Sequence, residues 1–131
     1  MLENMIRDAE GIRDNLSRAV RDLELAMEQD AAARRVLTEA KQDYQDAEAE
    51  VAFELLHTST GKNAEMRKAE TDIGLIRSRN EGALHRLWIN LIVAQNKADS
   101  ARLALDQMTK RYRAIESAAE ITTAMLRALS R

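Results

Sequence analysis

Apolar residues recur with a regular spacing along the first half of the chain. The steps between them alternate between three and four residues, which is the heptad repeat of a coiled coil. The series is Leu2, Met5, Ala9, Ile12, Leu16, Ala19, Leu23, Ala26, Asp30, Ala33, Leu37, Ala40, Tyr44, Ala47 and Val51. Alanine fills every second of these positions from Ala19 to Ala47, which predicts a close approach of the partner helix. Asp30 is the one charged residue in the series.

The second half shows the same spacing in two registers. The first register holds Met66, Ala69, Ile73, Ile76, Asn80 and Ala83. The second holds Leu84, Leu87, Leu91, Ala94, Ala98, Ala101, Leu105, Met108, Tyr112, Ile115, Ala119, Thr122, Leu126 and Leu129. The step from Asn80 to Leu84 is a stutter, which locally unwinds a supercoil. Because Gly74 and Gly82 lower helix propensity nearby, we expect a bend there.

The two halves are separated by the only cluster of turn-forming residues, which extends from His57 to Asn63. Gly61 suits a left-handed position after a helix, and Asn63 or Thr60 suits the next N-cap. The sequence therefore predicts an all-α fold: a long antiparallel helical hairpin, a coiled coil with an Ala-rich seam, assembling into a helical bundle. We expect one domain over 1–131, with helices over about 2–57 and 64–130 and a turn at 58–63.

A reversal near residue 61 makes specific pairs. It places Arg111 beside Glu10 and Arg79 beside Asp43 and Asp46. It also places Leu87 and Trp88 against the alanines at 31–33. An alternative is a helix break at Asp30, which would give three helices, since Asp before three alanines is also an acceptable N-cap.

Composition and charge narrow the class of protein. The chain has 131 residues, no Cys and no Pro, so disulfides and thiolate chemistry are excluded. The net charge is −2, but acidic residues predominate in 1–57 and basic residues in 58–131, which favours pairing of the halves. No apolar leader is visible and no apolar run reaches the roughly 20 residues that span a bilayer. We therefore expect a cytoplasmic protein without a membrane segment.

The segment TSTGKN, residues 58–63, has the Gly-Lys pair of a phosphate-binding loop. That loop needs a first glycine five residues before the second and Ser or Thr after the lysine. Here Leu56 and Asn63 occupy those positions, and no strand precedes them. We interpret the segment as the turn of the hairpin and expect no nucleotide cofactor.

Other candidate chemistry is also incomplete. Glu54 and His57 match the Glu-x-x-His motif of di-iron bundles, but His85 has no glutamate three residues before it. We interpret His57 as a residue favoured by the α-helix C-terminus and His85 as a solvated or interface histidine. No Ser/His/Asp set can be assembled. We therefore expect neither a metal site nor catalytic residues, and no enzyme.

The segment LHRLWINLIV, residues 84–93, is apolar on more than the seam side. A helix that is apolar beyond one stripe must bury more than one face, and a two-helix hairpin covers only one. We therefore predict a homodimer, or a higher even oligomer, with a two-fold axis. Its interface residues would be Leu84, Trp88, Ile89, Ile92 and Val93.

The stretch TSTGKNAEMRKAE, residues 58–70, resembles a segment of small coiled-coil proteins encoded by phages and prophages of GC-rich bacteria. The resemblance implies a phage context, the host cytoplasm, and a phage or host protein as partner. Together with the apolar segment, it favours a non-enzymatic, self-associating interaction protein. The alternative is an accessory nucleic-acid-binding factor in phage recombination or replication, since Arg and Lys are dense in the second half. Against this alternative, aromatic residues that could stack on bases are scarce.

Overall fold

The structure, a computed structural model, describes residues 1–130 and contains three helices: α1 (Leu2–Thr58), α2 (Ala64–Glu81) and α3 (His85–Leu129). No strand occurs within these residues, so the all-helical prediction is confirmed. Helix α1 continues through Asp30, and the alternative of a break there is wrong. The second helix expected over 64–130 is divided at 82–84 into α2 and α3.

Contacts divide the chain into two compact units. Unit 1 comprises Met1–Ala32 and residues 99–130, and unit 2 comprises Ala33–Ala98. In unit 1, Asp22 pairs with Arg111 and Asp30 pairs with Arg102. Because the later residue of α1 meets the earlier residue of α3, these two segments pack antiparallel.

Burial along α1 and α3 follows the predicted seam. From Met5 to Val51, each residue of the α1 series is buried or half-buried, and the charged residues between them are largely exposed. The α3 series from Leu84 to Leu126 behaves in the same way, and only its last member, Leu129, is exposed. Among the five seam alanines from Ala19 to Ala47, Ala19 and Ala26 are buried, and the other three are half-buried.

The register predicted for α2 is wrong. Its apolar series is exposed, and the side of α2 with least exposure carries Thr71, Gly74, Leu75 and Ser78 instead. The close contact between α2 and α1 explains why this side of α2 faces α1. A Cβ on Gly74 would lie 2.8 Å from both Leu55 δ-carbons, so the absence of a side chain at Gly74 lets the Leu55 side chain of α1 lie against α2. The Thr71 hydroxyl donates to the Arg67 carbonyl oxygen at 2.9 Å, which satisfies its polar group within α2.

The pairing expected from a reversal at residue 61 is also wrong. Arg111 pairs with Asp22 instead of Glu10, and Arg79 pairs with Glu48 instead of Asp43 or Asp46. The reversal is completed only at Asn63, the N-cap of α2, and the residues at 82–84 add a further offset between α1 and α3. Trp88 consequently faces Tyr44 and not the alanines at 31–33.

The first turn is built around the Glu70 carboxylate. Glu70 Oε2 accepts hydrogen bonds from the Ser59 hydroxyl at 2.7 Å and from the Thr60 N–H at 3.2 Å. Asn63 caps α2, since its Oδ1 accepts from the Met66 N–H at 2.9 Å. The left-handed conformation expected at Gly61 is wrong, because no residue within 1–130 has positive φ. Gly61 is needed for space: a Cβ there would lie 2.9 Å from the Arg67 nitrogen.

The second interruption follows Glu81, the last residue of α2. Gly82 has φ −112° and ψ −152°, and its N–H donates to the Ser78 carbonyl oxygen. The Ser78 hydroxyl then accepts the Leu84 N–H at 3.2 Å. Leu84 is thereby turned inward immediately before α3 begins.

Candidate interaction surfaces

Unit 2 contains a cluster of two aromatic rings and an ion pair. The Tyr44 and Trp88 ring centroids are 5.3 Å apart, and the Arg79 guanidinium carbon lies 5.2 Å from the Trp88 centroid. Arg79 also pairs with Glu48 at 3.6 Å. Burial, followed by the nearby negative charge of Glu48, raises the pKa of the Tyr44 phenol, and the Arg79 guanidinium opposes this shift. The cluster joins α1, α2 and α3 within unit 2.

This cluster changes the role of two residues that the sequence predicted at an interface. Leu84 is 0% exposed, so its side chain offers no surface to another molecule, and its assignment to the interface is corrected. The turn at 82–84 is the reason, because it directs Leu84 into the interior. Trp88 is half-buried and packs within its own chain.

The remaining three predicted interface residues form what we call the α3 belt: Ile89, Ile92 and Val93. Their exposures lie between 40% and 45%. At spacings of one, three and four residues they share one side of α3, the side away from the buried Leu84, Ala94 and Ala98. Three large apolar side chains are thus exposed to solvent next to one another.

A groove between α1 and α3 of unit 2 adjoins the belt, and we call it the unit 2 groove. Ala40, Leu87 and Ala94 contribute small or apolar surface to it, and Val36 and Val93 are exposed at its sides. Its α1 edge carries Glu39 and Asp43, and its α3 edge carries Asn90 and Lys97. The groove was not predicted from the sequence, because it depends on which residues of α1 lie beside which residues of α3.

A third apolar surface lies on α2. We call Met66, Ala69, Ile73 and Ile76 the α2 stripe. The three large members are 49% to 58% exposed. They are the residues that the sequence assigned to the seam, and the spacing that suggested burial now produces a continuous apolar row on the surface.

The Gly-Lys turn has no arrangement of a phosphate-binding loop. The Glu70 carboxylate already accepts the Ser59 hydroxyl and the Thr60 N–H, and its negative charge opposes a phosphate at that position. Asn63 is occupied as the N-cap of α2. Each of these polar residues therefore has a structural role in the turn.

The two histidines lie in separate local settings. The His57 ring packs on Phe53 with centroids 4.5 Å apart near the end of α1. His85 Nδ1 lies 2.9 Å from the Arg79 carbonyl oxygen at the start of α3. Within the part of the chain that the structure describes, no group of three His, Asp or Glu side chains is placed to hold a metal ion.

Few large apolar side chains are fully removed from solvent. The chain exposes 9985 Å². A compact monomer of its 14.8 kDa mass exposes about 7,000 Å². Four of the six buried apolar residues are alanines, and the other two are Tyr44 and Leu84.

Comparison of the chain with protein-family models, with curated proteins and with solved structures finds no match. In residues 1–130 no helix has the length and apolar character needed to cross a membrane.

Proposed function

We propose that the protein is a non-enzymatic interaction protein: a coiled-coil helical hairpin that self-associates into a helical bundle and binds a protein partner. The α3 belt is the observation that carries the proposal. Burial of one large aliphatic side chain contributes about 1.5 to 3 kcal/mol, so the three exposed members of the belt give a substantial drive to associate. The large exposed area and the small core support the same conclusion.

The α2 stripe is the surface that we assign to the protein partner. Its three large apolar residues lie at helical spacing, which suits an amphipathic helix laid along α2. Glu65 and Asp72 lie on one side of this row, so basic residues beside the apolar face of the bound helix would complement them. The resemblance of residues 58–70 to phage-encoded coiled-coil proteins supports a phage or host protein of the host cytoplasm as the partner.

Light scattering after size exclusion tests the self-association. Wild type should elute with about twice the chain mass of 14.8 kDa at high concentration. Ile89→Glu/Ile92→Glu should elute as a monomer, because it places charges in the belt. Leu103→Glu is the matched control, since Leu103 is an exposed aliphatic residue of the same helix outside the belt, and it should leave the assembly unchanged. Equal masses for all three proteins would refute the role of the belt.

A second pair of variants separates partner binding from assembly. Ile73→Glu/Ile76→Glu should retain the wild-type mass and lose proteins that wild type captures from host extract. The belt variant serves as the comparison in the same capture. If the α2 variant loses assembly instead, the α2 stripe belongs to the self-association interface and not to a partner site.

Nucleic-acid binding has less support. Three arginines that could contact phosphate, Arg79, Arg102 and Arg111, form ion pairs with acids of the same chain. A mobility-shift titration over a salt series tests this alternative. Binding that weakens steeply with salt would favour the nucleic-acid function over the one proposed here.

A further inference from the structure

The unit 2 groove has edges of opposite charge. Glu39 and Asp43 lie on its α1 edge. Lys97 lies on its α3 edge, and Arg86 occupies the same side of α3, three turns of helix before Lys97. All four side chains belong to exposed residues, and none of them forms an ion pair with another residue within 1–130. The groove thus presents two unpaired acids opposite two unpaired bases.

This pattern decides which occupant the groove suits. We propose that the groove is filled by the same groove of a second copy, with the two-fold axis parallel to α1 and α3. Such an axis places α1 of one copy against α3 of the other, so that acids meet bases on both sides of the contact. An axis perpendicular to the helices would instead place α1 against α1, with acids facing acids. Like charges held in contact disfavour that arrangement.

The positions of the charged residues along the helix axes agree with a two-fold axis parallel to α1 and α3. The contact of Tyr44 with Trp88 shows which residues of α1 and α3 lie at the same level. A two-fold axis parallel to the helices preserves that level in both copies. Asp43 then lies within one helical turn of the second copy's Arg86, and Glu39 lies slightly more than one turn from its Lys97. Both distances are within the reach of long basic side chains.

The apolar part of the groove suits the same occupant. Val36 and Val93, which stand exposed at the two sides of the groove, would each meet the facing groove of the other copy. Of the other belt residues, Ile89 lies beside Val93 on the groove side of α3, whereas Ile92 lies on the opposite side of the helix, outside this contact. Each copy would therefore bury apolar surface at the centre and pair charges at the edges, which is the usual distribution in a stable interface. This inference rests on the self-association proposed above and specifies its geometry.

Charge reversal tests the geometry. One variant is Glu39→Lys/Asp43→Lys and the other is Arg86→Glu/Lys97→Glu. Each variant alone would carry like charges on the α1 and α3 edges of the groove. The dissociation constant of its homodimer should therefore rise about tenfold or more relative to wild type. An equimolar mixture should recover the wild-type dissociation constant as a heterodimer. A quadruple variant that combines all four changes should recover it as a homodimer, because every pair is again opposite in sign. Helix content and melting temperature, measured for each variant, should stay near wild type, since all four positions are exposed.

The outcomes separate this inference from the proposed function. If wild type forms a dimer and all charge variants dimerise equally well, self-association stands and the groove geometry is refuted. If each variant alone matches wild type and the mixture binds more tightly than wild type, α1 faces α1 and the proposed axis is wrong. If wild type stays monomeric, the self-association itself is refuted and a foreign helix becomes the occupant of the groove.

Discussion

Arg102 of α3 reaches the Asp30 carboxylate of α1 at 3.4 Å, and Asp30 is only 1% exposed although it occupies a seam position. A charged residue in an otherwise apolar seam costs stability, because its carboxylate loses water on folding. Its best-attested use is to fix the register, as polar residues at single seam positions do in coiled coils. In unit 1 the pair joins one position of α1 to one position of α3.

The first prediction concerns this pair. Arg102→Leu should destabilise the protein by about 1 to 3 kcal/mol, because it removes a charged partner of a buried carboxylate whose other contacts remain. Asp30→Leu/Arg102→Leu should recover most of that loss, since an apolar pair then occupies the seam. Denaturant unfolding measures both values. A double variant as unstable as Arg102→Leu would contradict the explanation.

The second prediction compares two helical glycines. Gly11→Ala should stabilise the protein by about 1 kcal/mol, because no atom lies within 4 Å of the added Cβ and alanine has the higher helix propensity. Gly74→Ala should not show this gain, since its Cβ would lie 2.8 Å from both Leu55 δ-carbons, and the Leu55 side chain would have to move to admit it. Thermal melts of the two variants provide the test. A stabilised Gly74→Ala variant would show that α2 does not pack closely on α1.

The third prediction concerns alkaline pH. The raised pKa of the Tyr44 phenol means that the folded chain holds this proton more tightly than the unfolded chain. The stability that the protonated Tyr44 phenol contributes is therefore fully present below the ordinary tyrosine pKa of 10.0. It is lost as the pH rises through the pKa of Tyr44 in the folded chain. Tyr44→Phe should reduce the fall in melting temperature above that pH. A variant that loses stability at high pH as steeply as wild type would contradict this assignment.

The fourth prediction concerns the first turn. Glu70→Ala should lower the free energy of unfolding by about 0.5 to 1.5 kcal/mol, since two hydrogen bonds to its carboxylate are lost. Lys62→Ala, at an exposed position of the same turn, is the control and should have little effect. ATP with magnesium should leave the melting temperature of wild type and Lys62→Ala unchanged. Stabilisation of wild type alone by ATP would revive the nucleotide interpretation.

The sequence predicted the seam of α1 and α3 because heptad spacing depends only on local periodicity. Asp30 and Tyr44 are buried where that spacing places them, although neither is aliphatic. The same logic failed for α2. There, close approach at Gly74 outweighed the burial of Ile73 and Ile76, and close approach depends on a neighbour that periodicity does not identify.

The surfaces were predicted less completely than the seam. Ile89, Ile92 and Val93 are exposed, as their positions outside the seam indicated. The burial of Leu84 depends on three non-helical residues whose conformation the spacing does not specify. The unit 2 groove depends on the offset between α1 and α3, which the number of residues in two turns determines. An error in that offset also misplaced the partner of Arg111.

The most direct test of the account is sedimentation equilibrium of the unmodified wild type over a concentration series from about 1 to 100 μM, a range that covers micromolar dissociation constants. The exposed belt and groove predict a single reversible transition from the 14.8 kDa chain to a dimer. Added salt should shift this transition to higher concentration, because the edge charges contribute to the contact. A chain that remains monomeric throughout the series would contradict the central claim of self-association.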